Sequence, residues 1–175
     1  MATSPLAQPT LIGERVTLRP LRDSDRARLR EILAEPGVAH WWGSGGADRA
    51  VAELFDRGLH VAFAVQAGGE LIGSIQYSEE SDPDYRHAGI DIFLDSAHRG
   101  QGLGPDALRT LARHLLADRG HHRLTIDPAT SNGRAIAAYL RVGFKPVGVM
   151  RAYERGPDGS FHDNLLLDLL DGELR

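Results

Sequence analysis

Between residues 88 and 117 the chain passes from a strand pattern through a glycine-packed turn into a helix pattern, and few folds accommodate that transition. Ala88-Gly-Ile-Asp-Ile-Phe-Leu-Asp95 alternates in the manner of a strand, and Asp106–Ala117 repeats its apolar residues every three or four positions. Between them lies His98-Arg99-Gly100-Gln101-Gly102-Leu103-Gly104-Pro105. Glycines let a backbone approach a ligand closely, and the start of a helix presents unpaired N–H groups carrying partial positive charge. The spacing therefore predicts an anion site suited to a phosphate or pyrophosphate. The run contains no lysine, so it is not a P-loop, and it sits mid-chain, unlike a dinucleotide fingerprint. The plainer reading is a helix entry whose glycines serve only a tight turn, with Pro105 as the first helical residue.

Arg99-x-x-Gly102-x-Gly104 resembles the acetyl-coenzyme A signature of the GCN5-related N-acetyltransferases (GNAT). That resemblance implies an α/β (α+β) fold, a single domain with a mixed, largely antiparallel sheet splayed around the cofactor and flanked by helices. It implies that Arg99, Gly100, Gln101, Gly102, Leu103 and Gly104 hold the pyrophosphate of acetyl-CoA. It also implies that the backbone of Ile92, Phe93 and Leu94 pairs with the pantetheine arm, the Leu94 N–H lying near the thioester oxygen. Pro105 departs from many family members by removing one N–H.

A second segment, Asn132-Gly-Arg-Ala135-Ile-Ala-Ala-Tyr139-Leu-Arg-Val-Gly143-Phe144, resembles the same family's later signature. Ser131 or Asn132 can cap a helix, Ile136, Tyr139 and Leu140 fall on one face, and Gly143 can end it in the left-handed conformation before Phe144 enters a strand. By resemblance, Asn132 contacts pantetheine and Tyr139 is the acid that protonates the departing thiolate. Read from its surroundings alone, Tyr139 is a core aromatic.

At 175 residues the chain is expected to form one domain, 1–175, with 1–10 as a flexible N-terminal segment. A formal charge of −4 without a basic block argues against nucleic acid, and no apolar stretch reaches membrane-spanning length, so a cytoplasmic location is expected. There is no cysteine, which rules out a thiol acyl-enzyme and leaves direct attack of the acceptor on the thioester. The eight histidines lack zinc spacing, so no metal is expected, and His121-His122 is read as solvent-facing.

The patterning predicts a strand at 15–20, a helix at 23–35 capped by Asp23 or Ser24, a flexible turn at 43–47 and a helix at 48–57. A hairpin follows, with strands at 61–66 and 71–77 around Gly68-Gly69. Beyond the central strand at 88–95 it predicts a helix at 105–118, a parallel-type strand at 123–126, the Asn132 helix, and a last hairpin of 147–154 with 162–170.

The acceptor side is less constrained. An alkyl amine is largely protonated at neutral pH, so transfer to nitrogen calls for a carboxylate that accepts its proton. Glu79, Glu80, Asp82, Asp84, Asp91, Asp95 and Asp127 are available. Asp91 interrupts Ile90 and Ile92; period-two alternation puts it on the face opposite them, which can be a functional cleft or solvent. Asp95 reads as turn chemistry. Trp41-Trp42-Gly43, Glu80-Ser-Asp82-Pro83, Gly89-Ile90-Asp91 and Thr125-Ile126-Asp127-Pro128-x-x-Ser131-Asn132 resemble, in that order, the aminoglycoside 6′-N-acetyltransferases.

This narrower resemblance implies Asp91 as the active-site base and Tyr139 as the acid. It also implies Trp41, Trp42, Glu79, Glu80 and Asp127 at the site of a small cationic amine. Gly43–Gly46 stands where those enzymes carry acids, and the connection from Tyr77 to Gly89 looks shorter. Trp41 and Trp42 can equally form a lid over the core. The opening Glu14–Asp25 resembles acetyltransferases of ribosomal-protein N-termini, making a protein amine the alternative acceptor. Arg22, Arg26 and Arg30 share a stripe that is either a solvated face or a partner contact. The apolar end Asn164–Leu170 either completes the sheet or pairs two copies as a homodimer.

Overall fold

The computed structural model describes residues 8–42, 45–58 and 60–175. The expected turn at Gly43 and Ser44, and most of the expected flexible segment, lie outside them. Gln8 is docked, its side-chain amide donating to the Ala62 carbonyl at 2.9 Å. In chain order the elements are β1 (Leu11–Ile12), β2 (Thr17–Pro20), a 3₁₀ turn (Asp23–Asp25), α1 (Arg26–Ala34), α2 (Pro36–Ala39) and α3 (Gly46–Leu54). There follow β3 (Val61–Ala67), β4 (Glu70–Glu80), β5 (His87–Leu94), α4 (Leu103–Arg113) with a π turn (His114–Asp118), β6 (Arg123–Ile126), α5 (Gly133–Val142), β7 (Lys145–Arg155) and β8 (Phe161–Leu170). One sheet runs β1-β2-β3-β4-β5-β6-β8-β7, antiparallel except for β5 against β6. The apolar end therefore completes the sheet within the chain, β8 pairing with both β6 and β7.

Each face of the sheet carries a core. Phe63, Val65, Ile75 and Ile90 pack with Leu108 and Leu111 of α4 and Tyr139 and Val142 of α5. Ala62 and Phe93, on the opposite face, pack under Leu29, Ile32 and Leu33 of α1 and Val51 and Leu54 of α3. Local sequence explains the joints. Gly68 and Gly69 take φ of 58° and 87°, the left-handed pair that a tight β3–β4 hairpin requires. The buried Asp106 carboxylate accepts from the N–H groups of Glu14, Arg15 and Val16 at 2.8 to 3.2 Å, fastening α4 to the β1–β2 hairpin.

Several expectations are corrected. The first helix is capped by neither Asp23 nor Ser24: Asp25 accepts from the Arg22 N–H at 2.7 Å and forms a buried two-pronged pair with Arg19 at 2.7 and 2.8 Å. The second helical piece begins at Gly46, absorbing part of the expected turn, and ends at Leu54. Pro105 is the third residue of α4, not the first, though still in the turn whose N–H groups have no helical partner. On α5 the buried stripe is Tyr139 and Val142 with Ala135 and Ala138, while Leu140 is exposed. His121 is buried, its ring bonded to Glu79 at 2.7 Å, because the turn before β6 folds beneath β4; only His122 faces solvent. Arg26 pairs with Asp23 and lies over the Phe55 ring, and Arg30 pairs with Asp48, so both serve the α1–α3 contact.

Candidate active site

The site begins where two parallel strands part. β5 and β6 pair only at Ala88 with Leu124 and Gly89 with Thr125, after which they diverge. On its other edge β5 stays paired with β4 as far as Leu94, and the Asp95 N–H donates to the Ile72 carbonyl at 2.8 Å. Strand alternation then turns the N–H groups of Ile92 and Leu94 into the gap. The Leu94 carbonyl accepts from Arg99 Nε at 3.2 Å, and the Leu94 N–H points towards the gap.

One cleft of about 420 Å³ runs from this gap to the start of α4. Gly100 and Gly102 take φ of 74° and 81°, wrapping the backbone around it, and Gly104 and Pro105 complete the wall. Gln101 and Leu103 do not line it: Gln101 donates to the Ala97 carbonyl, and Leu103 is buried in the core. Arg99 and Arg134 both line the cleft, the Arg134 guanidinium lying over Gly100. Desolvation, then the nearby Arg134 charge, holds the Arg99 guanidinium below its usual pKa. Two guanidiniums, two helix starts and a glycine turn form a cradle for a polyanion. Asn132 caps α5 through its side-chain oxygen, bonded to the Ala135 N–H at 3.2 Å, and also lines this cleft.

A second cleft, of about 360 Å³, lies on the α1–α3 face, which those helices cover at Phe93 but not at Asp91. The two clefts share Trp41, Trp42, Ile92, Asn132 and Tyr139. Trp42 stacks edge-on against Phe93 with centroids 4.7 Å apart and is both a core lid and a cleft wall, whereas Trp41 stands edge-on to His40 at 4.3 Å and serves the cleft wall alone. Past Asp91, Asp127 and Glu154 the second cleft opens into a groove of about 810 Å³.

Asp91 is reached by solvent through the cleft mouth while protein walls surround it. Desolvation, then the Glu154 charge, raises its carboxyl above the ordinary range, opposed by a 3.4 Å hydrogen bond from Gln76 and by His60. Asp127 is pushed up to about 6 by desolvation and by Asp91 and Glu154, against hydrogen bonds from Asn164 and Tyr153. Tyr139, 9 % exposed, is raised by desolvation and by both aspartates, so it holds its proton. Glu79 and Glu80 do not join this group. Glu79 pairs in register with Ala88, which sets it on the face opposite Asp91. Burial would raise its pKa, but hydrogen bonds from Arg119 and His121 hold it low. Glu80 lines only the outer groove and bonds the Asp82 N–H. Asp95 caps the turn at His98, as its position suggested.

Sequence reasoning missed Glu154, Tyr153, Asn164 and Gln76. Gln76 had a signal, a polar residue on the same strand face as Asp91. Glu154 had none, because a bulge decides where it points.

An acetyltransferase (GNAT) domain model matches residues 15–145, from β2 to the start of β7. The chain belongs to the GNAT acetyltransferase family. It is 32% identical over 167 residues to aminoglycoside N(6′)-acetyltransferase type 1 of Klebsiella pneumoniae, covering 84% of this chain and 80% of that one. It is 29% identical over 144 residues to the N-alpha-acetyltransferase RimI of Mycobacterium tuberculosis, covering 81% and 86%. Among solved structures, AAC(6′)-Ib in complex with ribostamycin and coenzyme A aligns with a TM-score of 0.74 and 28% identity, covering 90% of this chain and 94% of that one. Acetyl-CoA is the donor that a GNAT acetyltransferase uses, and the glycine turn with its paired arginines suits that donor's phosphates. The family match spans the whole donor cleft but stops short of the β7–β8 hairpin that brings Glu154 to the acceptor cleft.

Proposed function

We propose that this acetyltransferase acts on a primary amine of a small polycationic molecule, the 6′-amine of an aminoglycoside, by direct transfer. The observation that carries the reading is the convergence of Asp91, Asp127 and Glu154 on the chamber that shares Tyr139 with the donor cleft. Ammonium groups supply the counter-charge such a chamber lacks. Bound acetyl-CoA supplies an activated acyl carbon and a thiolate leaving group. Asp91 orients the acceptor ammonium and takes its proton, directly or through one water. The Leu94 N–H faces the position of the thioester oxygen, where it stabilises developing negative charge. Tyr139, kept protonated by its setting, gives its proton to the departing sulfur. Asp127, Trp41 and Trp42 hold the acceptor, Arg99 and Arg134 grip the donor phosphates, and Asn132 keeps its side-chain nitrogen for the pantetheine arm. The reaction runs in the cytoplasm, where acetyl-CoA is at hand.

The test is mass spectrometry of an aminoglycoside, polyamine and peptide panel incubated with enzyme and acetyl-CoA. Gain of one acetyl group on the 6′-amine supports the reading. Acetylation of peptide N-termini alone would replace it with the RimI-like alternative, for which the open groove leaves room.

A further inference from the structure

We propose that Glu154 sets acceptor specificity by binding a second ammonium beside the amine that is acetylated, which favours acceptors that carry at least two closely spaced amino groups. This rests on the polycationic acceptor proposed above and narrows it.

Charge in the acceptor chamber is unbalanced. Among the described residues, no arginine or lysine forms an ion pair with Asp91, Asp127 or Glu154. The arginines in the cleft wall are engaged elsewhere: Arg49 pairs with Glu53 at 2.7 Å, and Arg155 donates to the Gly159 carbonyl at 3.1 Å. The reacting amine has to shed its proton, and so it ceases to be a counter-ion at the moment of attack. A carboxylate beyond the base needs a cation that keeps its charge throughout. Gln76 adds a neutral acceptor in the same wall, its side-chain oxygen buried without a hydrogen-bond partner.

Between the pairs Met150–Asn164 and Glu154–His162, β7 carries three residues against one on β8. Ala152 sits there at φ 47°, a left-handed conformation costly for a residue with a Cβ, and its N–H is held by Asp163 at 2.7 Å. This bulge delivers Glu154 to the cleft. Asn164, 2 % exposed, clamps it: one side-chain nitrogen donates to Glu154 at 3.0 Å and to the Asp127 carbonyl at 2.7 Å. Only Oε2 is used in that clamp, so Oε1 remains for a ligand. Glu154 lines the acceptor cleft and the outer groove but not the donor cleft.

The experiment compares ribostamycin, which carries several amino groups, with the monoamine 6-amino-6-deoxyglucose, using purified full-length enzyme and Glu154→Gln. Glutamine keeps the size and the bond to Asn164 but removes the charge. KM for ribostamycin is expected to rise about tenfold with kcat nearly unchanged, as for loss of one partly solvated charge-assisted bond. Assayed at pH 8, above the acid limb set by Asp91 and Asp127, the kcat/KM for the monoamine is expected to change far less than that for ribostamycin, and the KM for acetyl-CoA to stay the same. Equal losses for both acceptors, or an unaltered ribostamycin KM, would overturn the assignment. Failure of the unaltered enzyme to acetylate any amine would remove the acceptor reading itself, and this inference with it.

Discussion

Replacing one oxygen of Asp91 by an amide nitrogen separates its chemistry from its shape. Asp91→Asn is expected to lower kcat by about a hundredfold or more, the scale of a lost general base, with the acetyl-CoA dissociation constant unchanged. Single-turnover rates with calorimetry of donor binding check both halves. The carboxyls also set a pH dependence. Asp127, raised by desolvation and its acidic neighbours, ionises near pH 6, and Asp91 is raised as well. The proposed mechanism uses both as carboxylates, so kcat/KM for the acceptor should fall as pH drops through that region. Glu154→Gln, by removing a charge that raises both, should move this acid limb to lower pH. Alternation along β5 told only that Asp91 opposes Ile90 and Ile92. Which face lies open depends on where α1 and α3 stop, and that is set by contacts remote in sequence. Tyr139 was legible for the opposite reason: its helix carries its own cap and its own glycine stop.

Elements with local causes were readable, and those with distant causes were not. The strand–turn–helix at 88–113 depends on neighbouring residues alone, and it forms where the glycines and apolar spacing put it, shifted by two residues at its helical start. The entry to α1 shows the limit. Nothing in the local pattern marks Asp25, yet it is 5 % exposed because Arg19, on β2, reaches it. Removing one partner of such a pair strands a buried charge, so Asp25→Ala should lower unfolding free energy by about 3 kcal/mol in urea titrations. Burial opposes ionisation of Asp25, but Arg19 and the Arg22 N–H win, and its folded pKa lies below its unfolded one. Its stabilisation is therefore complete above the unfolded value and is lost as pH falls through the folded one. No pattern could announce the bulge at Ala152, since alanine gives no hint of a left-handed backbone. Glu154 went unread for that reason.

Across the whole molecule, order in the sheet departs from order in the chain once: β8 enters between β6 and β7 and leaves β7 at the margin. The margin is defended against simple strand addition by Pro146, by the bulge and by Lys145, Arg151 and Arg155. Apolar surface remains there, with Val147 and Val149 53 and 55 % exposed. The 164–170 strand is occupied within the chain, so a homodimer would have to form on this margin instead, and Val149→Asp should then convert a dimer to a monomer in sedimentation equilibrium. A monomer mass for the unaltered chain at every concentration would end that expectation.

The same hairpin is rooted in the main core through Leu167 and Leu169 of β8, while its far end stands over the acceptor chamber. None of its residues lines the donor cleft, while one wall of the acceptor chamber hangs from it. Exchanging residues 150–164 for a hairpin of different length or charge should therefore re-target the enzyme to other amines without re-tooling how it handles its acyl supply.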